Sequence, residues 1–427
     1  MIIRKNDKKL QDILNRGGIM EGEYLRTVLD IIENVRKNGD VALAEYSLKF
    51  DKYDIKKHGI EITKEEMKAA WDALPERLKT ALENAKKNVV EFHEKQLEVT
   101  WMYEKSKGTF LGQKVTALES VGVYVPGGKA VYPSSVLMNV LPAKVAGVDE
   151  IIMVTPATGG QVNPVVLAAA YLAGVDRGFK VGGAQAVAAL AYGTESIPRV
   201  CKITGPGNIY VALAKKMVFG RVDIDMIAGP SEVLIVADSS ADPDYVAADM
   251  LSQAEHDELA SAMVVTDDME LAKEIENSVY AQLAELPKKE IASKSLERFG
   301  AIIVTDNLDE AADIVNEIAV EHLELCVAHP MEFMLKIRNA GAIFLGQNTP
   351  EPVGDYFAGP NHVLPTGGTA KFFSPLGTYD FQKKSSIIYY SKEQLMADMD
   401  DIRVLAESEE LIAHRNSVII RQEDQSI

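Results

Sequence analysis

"VGVYV" (121–125), "EIIMVTP" (150–156) and "NPVVLAAAYLAGV" (163–175) follow one another in the middle of the chain. The first two are short apolar runs bounded by turn residues, as expected of strands buried on both faces. The third is longer and rich in alanine, opens on Asn-Pro and contains a late glycine, which predicts a tightly packed helix. "AVAALAYG" (186–193) predicts another such helix, "VCKITGPGN" (200–208) a strand and turn, and "NIYVALAKKMV" (208–218) a helix. Strands alternating with helices predict a parallel, doubly wound sheet. The alternation restarts at "SEVLIVAD" (231–238), with a helix in "PDYVAADMLSQAEH" (243–256). Further strands are expected in "ASAMVVTDD" (260–268), "GAIIVTDN" (300–307), "HLELCVAH" (322–329) and "GAIFLG" (341–346). The fold class is therefore α/β, with two doubly wound units meeting near Ser231.

Either side of this core the texture differs. Residues 1–20 are expected to form a short polar arm, and 21–97 to be helical, two or three helices preceding any strand. "TKEEMKAAWDALPERLKTALENAKKNVVEFHEKQ" (63–96) spaces its apolar residues by three and four. After about Gly377 comes a strand, "SSIIYYS" (385–391), then a charged helical stretch. The expected domains are an arm (1–20), a discontinuous first α/β domain (21–120 with 233–377), a second α/β domain (121–232) and a small C-terminal tail (378–427).

Of 427 residues, 47% are hydrophobic and 25% charged, an ordinary globular balance. Lys and Arg number 45 against 63 Asp and Glu, a net charge of −18, so a nucleic-acid partner is not expected. The two cysteines, Cys201 and Cys326, form no CxxC, which excludes a thiolate zinc site and a dithiol redox motif. The N-terminus has no apolar signal core, and the longest uncharged run, 151–175, is broken by Pro156, Gly159, Gly160 and Pro164. No membrane association and a cytoplasmic location are expected.

Four glycine-rich turns follow strand-like runs: "VPGGK" (125–129), "VGGAQA" (181–186), "TGPGN" (204–208) and "AGPSE" (228–232). Such turns bring backbone amides close to a ligand. None is a GxGxxG with a downstream acid, so the standard dinucleotide fingerprint is absent. Of seven histidines, His58 and His93 are expected to be solvated, and His329 to be a turn residue. Gln253 and His256 in "LSQAEH" are three apart and are expected to share a helix face, where both can address one metal ion. Glu321 and His322 put a carboxylate beside an imidazole, two proton acceptors of different basicity. Asp355 and His362 lie in a long aperiodic stretch, "EPVGDYFAGPNHVLPTGG" (351–368), of the kind that is usually functional. Glu409 and His414 are five apart in the C-terminal stretch. Motifs for serine hydrolases, zincins and P-loop NTPases are missing.

Taken together, "ESVGVYVPGG" (119–128), "GGAQAVAALAYGT" (182–194), "ITGPGN" (203–208), "AGPSEVLIVAD" (228–238), "LSQAEH" (251–256), "EHLEL" (321–325), "GDYFAGPNHVLPTGGTAKF" (354–372) and "AHRNSV" (413–418) resemble the histidinol dehydrogenase family, in the family's order. The resemblance implies oxidation of L-histidinol through bound L-histidinal to L-histidine, with two NAD and one water. It implies Zn²⁺ held by Gln253, His256, Asp355 and His414, and Glu321 with His322 as the acid–base pair. Ser231, Gln253, His256, His322, Asp355, Glu409 and His414 would contact substrate, and Tyr124, Gln185 and Asn208 would contact NAD. It also implies incomplete Rossmann-like domains, and a homodimer that exchanges C-terminal tails.

The chemistry of the residues is compatible. Two hydride transfers need a cofactor site reloaded once per cycle. An alcohol needs a base of near-neutral pKa, which suits His322, and an aldehyde needs an activated water, which suits Glu321. Both cysteines sit in apolar runs that suppress thiolate formation. The alternatives are a paralogue acting on another amino- or sulfo-alcohol, a cysteine-dependent aldehyde dehydrogenase and a non-catalytic nucleotide- or metal-binding module.

Overall fold

The protein, seen here as a computed structural model, is described over residues 1–16, 21–127 and 132–423. It divides into two compact units, Met1–Leu97 with Leu118–Phe381, and Glu98–Ala117 with Gln382–Ile427.

Along the first unit come β1 (Ile2–Arg4) and β2 (Glu61–Ile62), on either side of the helical segment Glu21–Tyr46. The second unit contributes the antiparallel pair β3 (Trp101–Ser106) and β4 (Thr109–Ala117). The first unit then resumes with β5 (Ser120–Tyr124), β6 (Glu150–Thr155), β7 (Arg177–Lys180), β8 (Lys202–Thr204) and β9 (Asp223–Ile224). These five pair in parallel in the order β7-β6-β5-β8-β9, with β2 antiparallel on the β7 edge. Next come β10 (Glu232–Ala237), β11 (Ser261–Thr266), β12 (Ala301–Val304), β13 (His322–Cys326) and β14 (Ala342–Leu345). They form a second parallel sheet, β1-β12-β11-β10-β13-β14. Counting each sheet's own five strands, both have the order 3-2-1-4-5.

The packing explains the composition. All six residues of β10 are buried, as are all six of β11, which is why neither strand alternates in polarity. The helix Gly183–Tyr192 buries eight of its ten residues, mostly alanines. A Cβ at Gly122 of β5 would lie 2.7 Å from a Leu190 methyl of that helix, so a larger residue there would force Leu190 to shift. Proline opens the helices Pro133–Ala146, Pro164–Ala173 and Pro243–Ala254, where its missing N–H costs nothing.

The structure corrects the expected boundaries. The N-terminal arm is not merely polar. Ile2–Arg4 pairs with β12, and Ile3, Leu10 and Ile13 enter the core of the second sheet; residues 17–20 lie outside the described residues. The helical region expected to join residues 233–377 packs instead on the first sheet. Val28, Val35, Leu43, Met67 and Val89 share a core with Val121, Ile152 and Leu190. Helices did not precede every strand either, and residues 98–117 leave that region altogether. Their β3–β4 hairpin turns at Lys107 and Gly108 (φ +71), and β4 pairs antiparallel with β15 (Gln382–Tyr389). The C-terminal segment is thus part of a unit with its own three-stranded sheet and two helices, Lys392–Ser408 and Ile412–Glu423. Hydrophobic spacing along the chain reports which residues are buried, not which sheet buries them.

Arg16 ties the arm to β10. Its guanidinium donates to both Glu232 carboxylate oxygens at 2.5 and 2.6 Å, and to the carbonyls of Ile13 and Ile318. Both side chains are buried. Arg16→Met should therefore lower the unfolding free energy by about 3–5 kcal/mol, because it strands a buried carboxylate. Arg16→Met combined with Glu232→Leu should recover much of that loss. Urea denaturation midpoints of the three proteins check this.

Candidate functional site

Two groups of side chains gather in the first unit. The first lies at the carboxyl ends of the first sheet's strands, where open α/β sheets bind ligands. Tyr124 closes β5 and is buried, and its hydroxyl accepts a hydrogen bond from the Gly183 N–H at 3.1 Å. Burial pushes its pKa up to about 12. Gln185 is buried in the first turn of the helix Gly183–Tyr192. Asn208 caps the helix Ile209–Val218, its side-chain oxygen accepting from the N–H groups of Tyr210 and Val211. β5 and β8 are neighbours on which the strand order reverses, and each of these helices points its amino end to that side. The residues fit a dinucleotide, because helix amino termini favour a pyrophosphate. Gly205, after β8, has φ +112, and a Cβ there would lie 2.1 Å from the Tyr124 carbonyl oxygen. Of the "VPGGK" turn, Gly128 and Lys129 lie outside the described residues.

The second group lies at the amino ends of β10 and β13, the edges opposite to the one open α/β sheets ordinarily use. Glu321 precedes β13 and His322 opens it. The backbone of Glu232, first residue of the neighbouring β10, holds both. Its N–H donates to Glu321 Oε2 at 2.9 Å, and its carbonyl accepts from His322 Nδ1 at 3.1 Å. A carbonyl only accepts, so Nδ1 carries a proton and proton exchange falls to Nε2. Nε2 lies 3.4 Å from Asp355 Oδ1 and has no hydrogen-bond partner among the described residues. Ser231 sits half-buried just before β10.

Gln253 is buried near the end of the helix Pro243–Ala254. In the amide orientation that satisfies both ends, its nitrogen donates to Glu351 at 2.6 and 2.7 Å and its oxygen accepts from the Glu232 N–H. The spacing predicts His256 on that helix, but the helix ends at Ala254 and His256 lies in the turn beyond it. The His256 N–H bonds the Gln253 carbonyl, which keeps the two residues close. Although His256 reaches solvent, crowding around its imidazole lowers its pKa more than Asp355 and Glu255 raise it. Asp355 stands in a wide π-helical turn, Gly354–Ala358, directly after the short helix Glu351–Val353. The stretch read as aperiodic is thus partly ordered, and it is pinned. Asn361 donates to the Met138 carbonyl at 2.7 Å and Asn88 to that of Phe357, joining the loop to the first sheet's helices. His362 Nδ1 donates to the Asp355 carbonyl. His93, expected to be solvated, is fully buried. It donates from Nδ1 to Val89 O and faces Asn361, so it supports this loop.

The charge balance is unusual. Burial pushes Glu321 up to about 8, with Glu232 adding and His322 opposing. Burial likewise pushes Glu351 up to about 7. Burial alone would lower His322, but the charges of Glu351, Glu321 and Asp355 outweigh it and carry the imidazole well above its usual value. Burial also opposes ionisation of Asp355, yet the His322 contact and the nearby His362 and His256 hold it below its usual value. His322, Glu351 and Asp355 offer ligand atoms within 4.8 Å of one another. A surplus of buried carboxylates around imidazole and amide donors suits a divalent cation, which would take over the charge that the imidazole otherwise balances by holding a proton.

The sequence passed over Glu232, Glu351 and Glu324. Glu324, buried in β13, accepts from the Glu351 N–H at 2.8 Å. The available signal was an acid inside an otherwise apolar strand, in "SEVLIVAD" and "HLELCV". Glu409 and His414 lie in the second unit, Glu409 just past the helix Lys392–Ser408 and His414 in Ile412–Glu423, both exposed.

A family model described as histidinol dehydrogenase matches residues 14–422. The histidinol dehydrogenase of Syntrophotalea carbinolica is 57% identical over 412 residues, 96% of each chain. That of Aquifex aeolicus is 53% identical over 426 residues, 99% of each chain. The crystal structure of histidinol dehydrogenase from Elizabethkingia anophelis superposes with a TM-score of 0.94 at 35% identity, covering 99% of this chain and 98% of that one.

Glu321, Glu351 and His322 all bind protons more tightly folded than unfolded. Their contribution to stability is present at low pH and is lost as pH rises through the folded values. Unfolding free energy of chelator-treated protein, minus that of Glu321→Gln, should therefore fall between about pH 5 and about pH 8, the window Glu321's rise to about 8 defines. Denaturant titrations across that range check the sign.

Proposed function

Because the chain belongs to the histidinol dehydrogenase family, NAD-dependent oxidoreductases, we propose how its residues share the oxidation of L-histidinol through bound L-histidinal to L-histidine, with two NAD and one water. The observation that carries this reading is the buried Glu321–His322 pair, with His322 Nδ1 fixed on the Glu232 carbonyl. With Nδ1–H held on that carbonyl, proton exchange falls to Nε2, which would take the hydroxyl proton in the alcohol step once a cation shared by the neighbouring acids relieves the charge that otherwise holds the ring protonated. Glu321 then activates the water that adds to the aldehyde, and His322 takes a proton again as the hydrate is oxidised. NAD supplies the hydride acceptor for both steps, held by Tyr124, Gln185 and Asn208. Zn²⁺ held by Gln253, His256, Asp355 and His414 would anchor the substrate's imidazole and amine. Glu351 takes the Gln253 amide protons, which leaves the amide oxygen as the donor atom. Ser231, His322, Asp355 and Glu409 complete the substrate contacts. A thiol nucleophile is not needed, and burial pushes the Cys326 thiol far up.

We read both parallel sheets as incomplete Rossmann-like, doubly wound domains, the first for NAD and the second for catalysis. We also assign the protein to the cytoplasm; among the described residues no helix is long and apolar enough to cross a membrane. His414 and Glu409 are proposed to serve the site of a partner subunit, in a homodimer that exchanges C-terminal tails. Trp101, Met102, Ile388, Leu405 and Ile420 of the second unit are exposed, which supports a partner there.

Two NADH should form per L-histidinol consumed, with histidine as product. His322→Asn should lower kcat by roughly 10²- to 10⁴-fold. One NADH, or unchanged turnover in that variant, contradicts the assignment. Tail exchange has its own test. Inactive His322→Asn and His414→Asn chains, mixed under subunit exchange, should regain about one intact site per heterodimer. No recovery would place His414 in its own chain's site.

A further inference from the structure

In dinucleotide-binding sheets an acid beyond the second strand accepts hydrogen bonds from the adenosine ribose. Here the second strand is β6, and the segment that follows it, "PATGGQVN" (156–163), contains no acid. Asp225, at the end of β9, is not available. Its Oδ2 accepts from the Gly205 N–H, its Oδ1 from the Met226 N–H, and Lys215 pairs with it.

The structure supplies an acid from a distant part of the sequence. The π-helical turn Ser47–Asp51 packs against the turn Thr158–Gly160, directly beyond β6. Asp51 ends that turn, and its Oδ2 is buried without a hydrogen-bond partner among the described residues. Its charge reaches Tyr124, the buried tyrosine at the end of β5. Desolvation without compensation pushes the Asp51 carboxyl up to about 6, so the group sits at a cost that a donor would relieve. The neighbouring Lys52 is left-handed at φ +57, which closes the turn sharply after the acid. A half-buried carboxylate with one idle oxygen, placed where the second strand ends, matches a vicinal diol, which offers two hydroxyl donors.

We propose that Asp51 accepts hydrogen bonds from the adenosine ribose hydroxyls of NAD and thereby selects NAD over its 2′-phosphorylated form. The inference rests on the NAD assignment above and deepens it. A 2′-phosphate would place a dianion against the carboxylate and remove the 2′-hydroxyl donor.

Calorimetric titration of the purified protein tests it without turnover. NAD, NADP and NAD carrying a 2′-deoxyadenosine are the probes, on wild type and on Asp51→Asn. A hydrogen bond to a charged group corresponds to roughly 10- to 150-fold in affinity. Wild type should bind NAD that much more tightly than either analogue. Asp51→Asn should lose a similar factor toward NAD and barely distinguish NAD from the 2′-deoxy form, while its affinity for L-histidinol in the presence of Zn²⁺ is kept. If Asp51→Asn does not fold, the wild-type series decides alone. Equal wild-type affinity for NAD and the 2′-deoxy form, equal affinity for NADP, or full NAD affinity in Asp51→Asn would overturn the proposal. Absence of NAD binding to wild type would instead overturn the cofactor assignment, and this one with it.

Discussion

His322 lies in the interior with Glu321, Glu351 and Asp355 around it, and its Nδ1 rests on the carbonyl of Glu232. Burying so many acids beside one imidazole is unfavourable unless each is tied to a donor or shares a cation. Most of the unusual features of the first unit serve that need. The Glu232 N–H is given to Glu321, its side chain is neutralised by Arg16, and Gly367 N–H adds a further donor to it. Glu324 receives the Glu351 N–H, and Gln253 gives its amide protons to Glu351. The N-terminal arm, β10, β13 and the loop after β14 thus converge on one electrostatic problem.

The two sheets have the same strand order but use opposite edges. Tyr124, Gln185 and Asn208 follow the carboxyl ends of β5, β7 and β8. Glu321, His322 and Ser231 stand at the amino ends of β13 and β10. The chain runs from the carboxyl end of β9 to the amino end of β10 through residues 225–231 only, a span of at most about 25 Å. The loop 354–366 joins the two edges again, because Asn361 and Asp355 lie a few residues apart and bond to different sheets' surroundings. The proposed chemistry needs a hydride acceptor and a proton acceptor on one substrate, and these two links tie the edges proposed to carry them.

Most of the strands were legible because a parallel sheet buries both faces, so strands such as β6, β10 and β11 are written as apolar runs that few other structures tolerate. Glu321, His322, Gln253, His256 and Asp355 were legible as polar interruptions of apolar texture, and the family likeness gave them roles. The β3–β4 hairpin was not read, although Lys107-Gly108 between two runs of strand formers was a usable turn signal. The three-residue β1 has too few residues to show a period, and its pairing with β12 comes from some three hundred residues away.

The sequence by itself determined the alternation of strands and helices, the membership of the family and the candidates for moving protons, because each is a local matter of side-chain type and spacing. Only the tertiary structure decided which sheet the helices of residues 21–97 cover, that the Glu232 backbone anchors both Glu321 and His322, and that Asp51 stands where β6 ends. These depend on pairings between residues far apart along the chain, and hydrophobic burial, being non-directional, leaves no mark in either partner of which surface it will meet.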